Sequence, residues 1–163
     1  MIRLYSLLLL TVLSMGLIAE ELVIQKTWSG IIRLQQTPFG RKPQTKPSTL
    51  TVVGDVKSYT RFLSRIPSKQ ISRTRPAPPN KDPLLKKPAI DFTKNTLLTI
   101  DRSAMARPVF RQIIEHQKEV VVLVEFPLEF PAARPINIGT YTAVLISKTK
   151  KPVRLQLIKP GIK

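Results

Sequence analysis

The side chains best suited to proton transfer are few here: one histidine and ten carboxylates in 163 residues. His116 lies in EHQKE, between two β-rich runs. A general base needs a positioned partner and a pocket. Its neighbour Glu115 would point to the opposite face of a strand, so His116 reads as a solvated turn residue. Glu115, Glu119, Glu125 and Glu129 could gather around one hairpin, and paired carboxylates hydrolyse glycosidic bonds. The same positions suit ion pairs with the many cations, and that is the reading adopted. One histidine and scattered carboxylates do not supply metal-ligand spacing. The serines lie in no G-x-S-x-G phrase, so triad chemistry has no support. The chain has no cysteine, which excludes disulfides, thiolate metal sites and a cysteine nucleophile. It also leaves no thiol for an acyl chain. The expectation is a non-enzyme, with no catalytic, metal or cofactor residues to name.

Asp91, between Ile90 and Phe92, has two structural roles open to it. It could pair with a nearby cation, or accept backbone hydrogen bonds at a strand entry, as aspartate does in turns.

The formal net charge is +17. That favours anionic partners, among them envelope lipids, wall polymers, nucleic acid and acidic proteins, without choosing between them. Prolines locate the charge. Pro43, Pro47, Pro76, Pro88, Pro108, Pro135, Pro152 and Pro160 each follow a lysine or arginine. A residue before proline is pushed toward extended geometry, so these cations belong to connectors and strand entries. Residues 65–88 carry seven basic residues against one acid, Asp82; from Phe130 onward there are seven more and no acid. The 65–88 tract reads either as an electrostatic arm or as a solvated loop kept out of the core by proline and charge. The second is preferred, since the tract has no aromatic for stacking on bases. Arg73, Arg75, Lys86 and Lys87 are its candidate docking cations, and nucleic acid is the least favoured partner.

The elements that would position these residues begin after a leader. Arg3 and the α-amine precede the apolar run Leu4 to Ile18, and Ala19 offers a small residue for signal peptidase. As a helix that run would span roughly 22 Å, short of the ~30 Å hydrocarbon core. Export with cleavage after Ala19 is expected, an uncleaved anchor being the alternative. Without disulfides, the exported chain suits a bacterial periplasm, cell envelope or secreted setting.

TWSGIIRLQ and TLTVVG read as strands. DVKSYTRFLSRIP reads as a helix capped by Asp55 and closed by Pro67, with Val56, Tyr59, Phe62, Leu63 and Ile66 on one apolar face. Beyond the spacer the period changes to two. AIDF and TLLTID flank a turn at Thr93 to Asn95, and VFRQIIE and VVVLVEF are joined as a hairpin through HQKE. TYTAVLIS and VRLQLI flank another hairpin-like break at Lys148 to Pro152. VVVLV lacks alternation and reads as a central strand buried on both faces. In VRLQLI, Val153, Leu155 and Leu157 point one way while Arg154 and Gln156 point the other. The fold class expected is β-rich α+β: an antiparallel sheet, or a small sandwich or barrel, with one short helix packed on it. The boundaries are 1–19 for the signal peptide, 20–64 for N-terminal strands and helix, 65–88 for the basic spacer, 89–158 for the β core and 159–163 for a tail. Residues 20–158 form one domain.

FPLEFP, residues 126–131, offers Phe126 and Phe130 as partner-binding aromatics. Its prolines hold the phrase extended and remove ladder donors. Aromatics placed so can anchor an interface or fold back over the core.

The phrases TVVGDVKSYTRFLSRI, PAIDFTKNTLLTI, VFRQIIEHQKEVVVLVEF and TYTAVLISKTKKPVRLQL resemble, in their order, the PrcB-like family. These are small accessory subunits of bacterial secreted-protease complexes. The chain departs from that pattern in DRSAMARPVF, where members usually carry a glycine-rich phrase, and in lacking the lipoprotein cysteine found in many. The resemblance implies a non-catalytic, extracytoplasmic β-domain that stabilises or docks on another envelope or secreted protein, such as a protease. A basic binder of anionic envelope polymer or nucleic acid is the alternative.

Overall fold

The computed structural model describes residues 19–34, 50–70, 76–128 and 137–160. In chain order its elements are β1 (Glu20–Glu21), β2 (Lys26–Arg33), β3 (Leu50–Val53), α1 (Val56–Leu63), β4 (Asn95–Arg102), β5 (Val109–Glu115), β6 (Val120–Glu125), β7 (Ile138–Ser147) and β8 (Val153–Ile158), with a 3₁₀ turn at Pro83–Lys86 before β4. The strands form two four-stranded sheets, ordered β1-β5-β6-β8 and β2-β7-β4-β3. This is the β-rich α+β class expected, as an open sandwich and not a closed barrel.

Three layers result from how apolar residues divide between faces. Leu98, Ile100, Val144 and Ile146 of the second sheet meet Ile113, Val120, Val122 and Val124 of the first. The other face of the second sheet presents Ile32, Val53, Leu97, Tyr141 and Ala143 to Tyr59, Phe62, Ile66 and Leu84. β4 and β7 are therefore covered on both sides, and their sequences are near-continuous apolar and threonine runs, as doubly buried strands require. β6 meets its expectation in part: it is a central strand with Val120, Val122 and Val124 fully buried and Val121 nearly so, but it lies in the outer sheet and Leu123 on its far face is only half-buried.

The helix forms where its apolar spacing and cap predict, except that Val56, expected on the apolar face, stands exposed at its first turn. Asp55 is extended, and its Oδ1 accepts from the Ser58 amide at 2.8 Å. α1 ends at Leu63, and a turn carries the chain to Pro67. Burying Tyr59 and Phe62 contributes roughly 1.5–3 kcal/mol for such a side chain, with the Phe62 ring edge-on to Tyr141 at 5.2 Å.

Three expectations need correction. First, Lys148 to Pro152 is not a hairpin. β7 lies in the middle layer and β8 in the outer sheet, parallel to β6 with Val120 beside Val153 and Glu125 beside Ile158. That sheet is therefore mixed, not purely antiparallel. The cause is burial: β7 is apolar on both faces and must lie between layers, whereas β8 is apolar on one face and suits an outer sheet. Second, AIDF is no strand. It enters a turn at residues 92–94 in which Asp91 Oδ1 accepts from the Thr93 amide at 2.9 Å and its hydroxyl at 2.5 Å.

Third, the described parts of the 65–88 tract are not all solvated. Leu84 is fully buried and Asp82 nearly so. The segment doubles back on itself: Lys69 bridges Pro79, the Gln70 amide donates to Pro78 O at 2.9 Å, and the Asn80 amide donates to Ser68 O at 2.8 Å. Asn80 Nδ2 adds a bond to Pro67 O at 2.8 Å. Proline and charge kept the rim of this strap in water, but they did not keep its base out of the core.

Candidate functional site

The hairpin that gathers His116 and the glutamates forms as expected, β5 to β6, with the His116 amide donating to Glu119 O at 2.8 Å. It does not assemble an acid–base pair. Lys151 Nζ sits 2.8 Å from Glu115 Oε1 and donates to His116 O at 2.8 Å. Glu119 accepts from Arg154 through both oxygens, at 3.0–3.2 Å. That arginine holds the Glu119 carboxyl below the ordinary glutamate range. Glu125 pairs with Arg111 at 2.6 Å, and Asp101 with Arg65 at 2.6 Å. Glu129 lies outside the described residues. These carboxylates tie strands together.

The buried carboxylate is Asp82, at the foot of the strap. It caps the 3₁₀ turn by accepting from the Leu84 amide at 2.9 Å. The Tyr141 hydroxyl donates to it, 2.8 Å from each oxygen. Gly30 makes room for the pair: a β-carbon there would collide with the Asp82 carboxylate and press on the Tyr141 ring. Burial, then the bond and charge of Asp82, raise the Tyr141 phenol above its ordinary value. A neutral tyrosine donating to a carboxylate is a structural latch. Among the described residues no buried side-chain polar atom lacks a hydrogen-bond partner, and no group of three or more His, Asp or Glu is placed to hold a metal.

The expected docking residues scatter. Phe126 folds back against the sandwich core, its ring 4.9 Å beneath the Arg102 guanidinium. Leu128, two residues on, is 83 % exposed. Nothing in FPLEFP itself marks this leucine over the flanking phenylalanines as the exposed group. Lys86 and Lys87 are both exposed, Lys87 with the left-handed φ of 49° that ends the 3₁₀ turn. Arg73, Arg75 and Phe130 lie outside the described residues, as does the leader through Ile18. Ala19 is exposed just ahead of β1.

Among the described residues, the sheet edges are further surfaces open to recognition. The β5 edge is blunted: Glu20 and Glu21 pair with Glu115 and Ile114, the Leu22 amide donates to Ile113 O, and the ladder with β6 shifts register between Phe110 and Gln112. An open groove of about 440 Å³ remains there between Leu22–Ile24 and Arg111–Ile113. β3 and β8 are the edges on the opposite side and are neighbours in space. Each leaves an apolar side chain half in water, Val52 at 46 % and Leu157 at 50 %.

No model of a known protein family, no characterised protein and no solved structure matches the chain. Among the described residues, no helix is long and apolar enough to cross a membrane.

Proposed function

We propose that the chain is an exported, non-catalytic accessory domain that stabilises or docks on another envelope or secreted protein, a protease being the partner the PrcB-like resemblance suggests. The observation that carries this reading is the division of labour among side chains. Glu115, Glu119, Glu125, Asp101 and Asp82 are each held in ion pairs or hydrogen bonds of the fold. By contrast Val23, Val52, Leu128 and Leu157 stand exposed on connectors and edge strands. Exposed apolar groups mark a contact surface where they lie together, and Val52 and Leu157 stand on the neighbouring edge strands β3 and β8. The test is capture from the producing cell's envelope fraction by tagged protein beginning at Glu20. A protein partner recovered in fixed stoichiometry through gel filtration supports the reading. Material that is heterogeneous and released by modest salt counts against it.

A second reading, adhesion to an anionic envelope polymer, draws on the +17 charge and on one end of the sandwich. There the Lys148 amide donates to Lys94 O and its Nζ to Gly54 O, so the Lys148–Lys151 crossover lies beside Lys94. It predicts binding that weakens steeply with salt.

A further inference from the structure

β8 is the outermost strand of its sheet, and its hydrogen-bonding parity follows from one bond. The Val120 amide donates to Pro152 O at 2.9 Å. With the parallel register of Val120 beside Val153, Arg154 and Gln156 then turn their main-chain groups toward β6. Val153, Leu155 and Leu157 turn theirs away from it. Among the described residues no strand pairs with that outward side. The segment has no proline between Pro152 and Pro160 and no bulge against β6; what guards this edge is its short length and its flanking lysines, which repel another basic chain and not an acidic one. β3, the neighbouring edge of the other sheet, repeats the arrangement. The Lys148 amide donating to Lys94 O sets the parity of β4, so that Thr51 and Val53 bond to β4 while Leu50 and Val52 face outward. The two edges are neighbours, with Val153 and Leu155 packed on the core cluster and Val52 and Leu157 each half exposed.

Charge selects the occupant. Exposed Lys150 and Lys159 bracket β8, while Arg154 on its outer face is already paired with Glu119. A second copy pairing edge to edge would bring these same cations together, on a molecule carrying +17 already. Like charges in register disfavour that dimer and favour an acidic partner.

We propose that β8 is a strand-addition site for an extended acidic segment of a partner protein. The segment's apolar side chains alternate inward toward half-exposed Val52 and Leu157, and its carboxylates alternate outward toward Lys150 and Lys159. Main-chain bonds to Leu155 and Leu157 supply affinity, and the two alternating faces supply selectivity. This rests on the accessory-domain reading above and deepens it by naming the surface and the partner's chemistry.

The probe is a short synthetic peptide alternating valine and glutamate, end-capped and fluorescent, titrated against the full chain. Saturable binding is expected. Replacing the glutamates by lysines should weaken it about tenfold or more. Leu157→Pro deletes an outward amide while leaving the β6 ladder intact, and should weaken binding to a similar degree. If that variant does not fold, hydrogen exchange on the unaltered protein decides: Leu155 and Leu157 amides should gain protection with peptide, while Gln156, already bonded to β6, should change little. No saturable binding, equal binding by a folded Leu157→Pro variant, or no gain of protection at Leu155 and Leu157 would overturn the site. A natural partner captured equally by wild type and Leu157→Pro would overturn the edge while leaving the accessory role standing.

Discussion

The phenol of Tyr141, on the middle strand β7, donates to the carboxylate of Asp82 at the foot of the strap, 2.8 Å from each oxygen. Between them the two residues decide that a tract rich in proline and charge closes one face of the sheet. Tyr141→Phe should lower stability by about 1.5–3 kcal/mol, the range for a hydrogen bond to a charged group. Asp82→Ala should cost as much, because it also strips the cap from Leu84. A double-mutant cycle read by urea unfolding should show the two losses strongly coupled.

Gly30 gives a sharper test of the same contact. Alanine in an extended strand is ordinarily harmless, yet here its methyl would meet the Asp82 carboxylate. Gly30→Ala should destabilise by about 1–3 kcal/mol, as overpacking does. Combining it with Asp82→Ala should recover part of the loss, since the clashing group is then gone. Denaturant midpoints of the single and double variants would check this.

Within the strap, neighbouring residues should respond very differently. Leu84 is fully buried, so Leu84→Ala should cost about 2–5 kcal/mol. Lys86→Ala, at an exposed position, should stay within about 0.5 kcal/mol. Lys87→Gly should stabilise by about 0.5 kcal/mol, relief of the left-handed strain outweighing the entropy glycine adds to the unfolded chain. Thermal melts of the three variants would show whether the strap is part of the core.

Stability should fall at both ends of the pH scale for different reasons. The Thr93 hydroxyl and amide lower the Asp91 carboxyl, the Ser58 amide lowers Asp55, and Arg154 lowers Glu119. A lowered carboxyl contributes above its unfolded value and loses that contribution as pH drops below about 4. Tyr141 is raised, by burial first and Asp82 second. Its contribution is complete below the ordinary phenol value near about 10 and is lost as pH climbs past it. Melting temperatures across pH should therefore form a plateau with two shoulders, and Tyr141→Phe should flatten the alkaline one.

Local patterns in the sequence were read correctly where the interaction is itself local. Asp55 and Ser58 are three residues apart, and the β5–β6 hairpin closes over HQKE, so composition and spacing carry both. VRLQLI announced which side chains face inward, but nothing in its six residues names the strand beside it. Its neighbour β6 is reached only after the chain has crossed the middle layer as β7, and a turn-like phrase at Lys148 to Pro152 looks the same whether it closes a hairpin or changes sheet. By sequence Asp82 is one acid among seven cations. Its true surroundings depend on Tyr141, 59 positions later, and on the missing side chain at Gly30, and no window along the chain brings these three together. The candidate docking surface was hidden for the same reason: an edge is a property of a strand's neighbours, which alternation does not specify.

The crossover at Lys148 to Pro152 also bears on the order in which the molecule assembles. β5 and β6 meet through a tight turn, whereas β8 reaches β6 only by closing a long loop around β7, and such closures come late. Arg154 and Gln156 should be among the last amides to acquire protection during refolding, in pulse-labelled hydrogen exchange, with Val121 among the early ones. Until β8 arrives, the valine-rich flank of β6 is a bare ladder, and the maturing protein passes through a brief stage in which its own final strand competes with any other extended chain for that place.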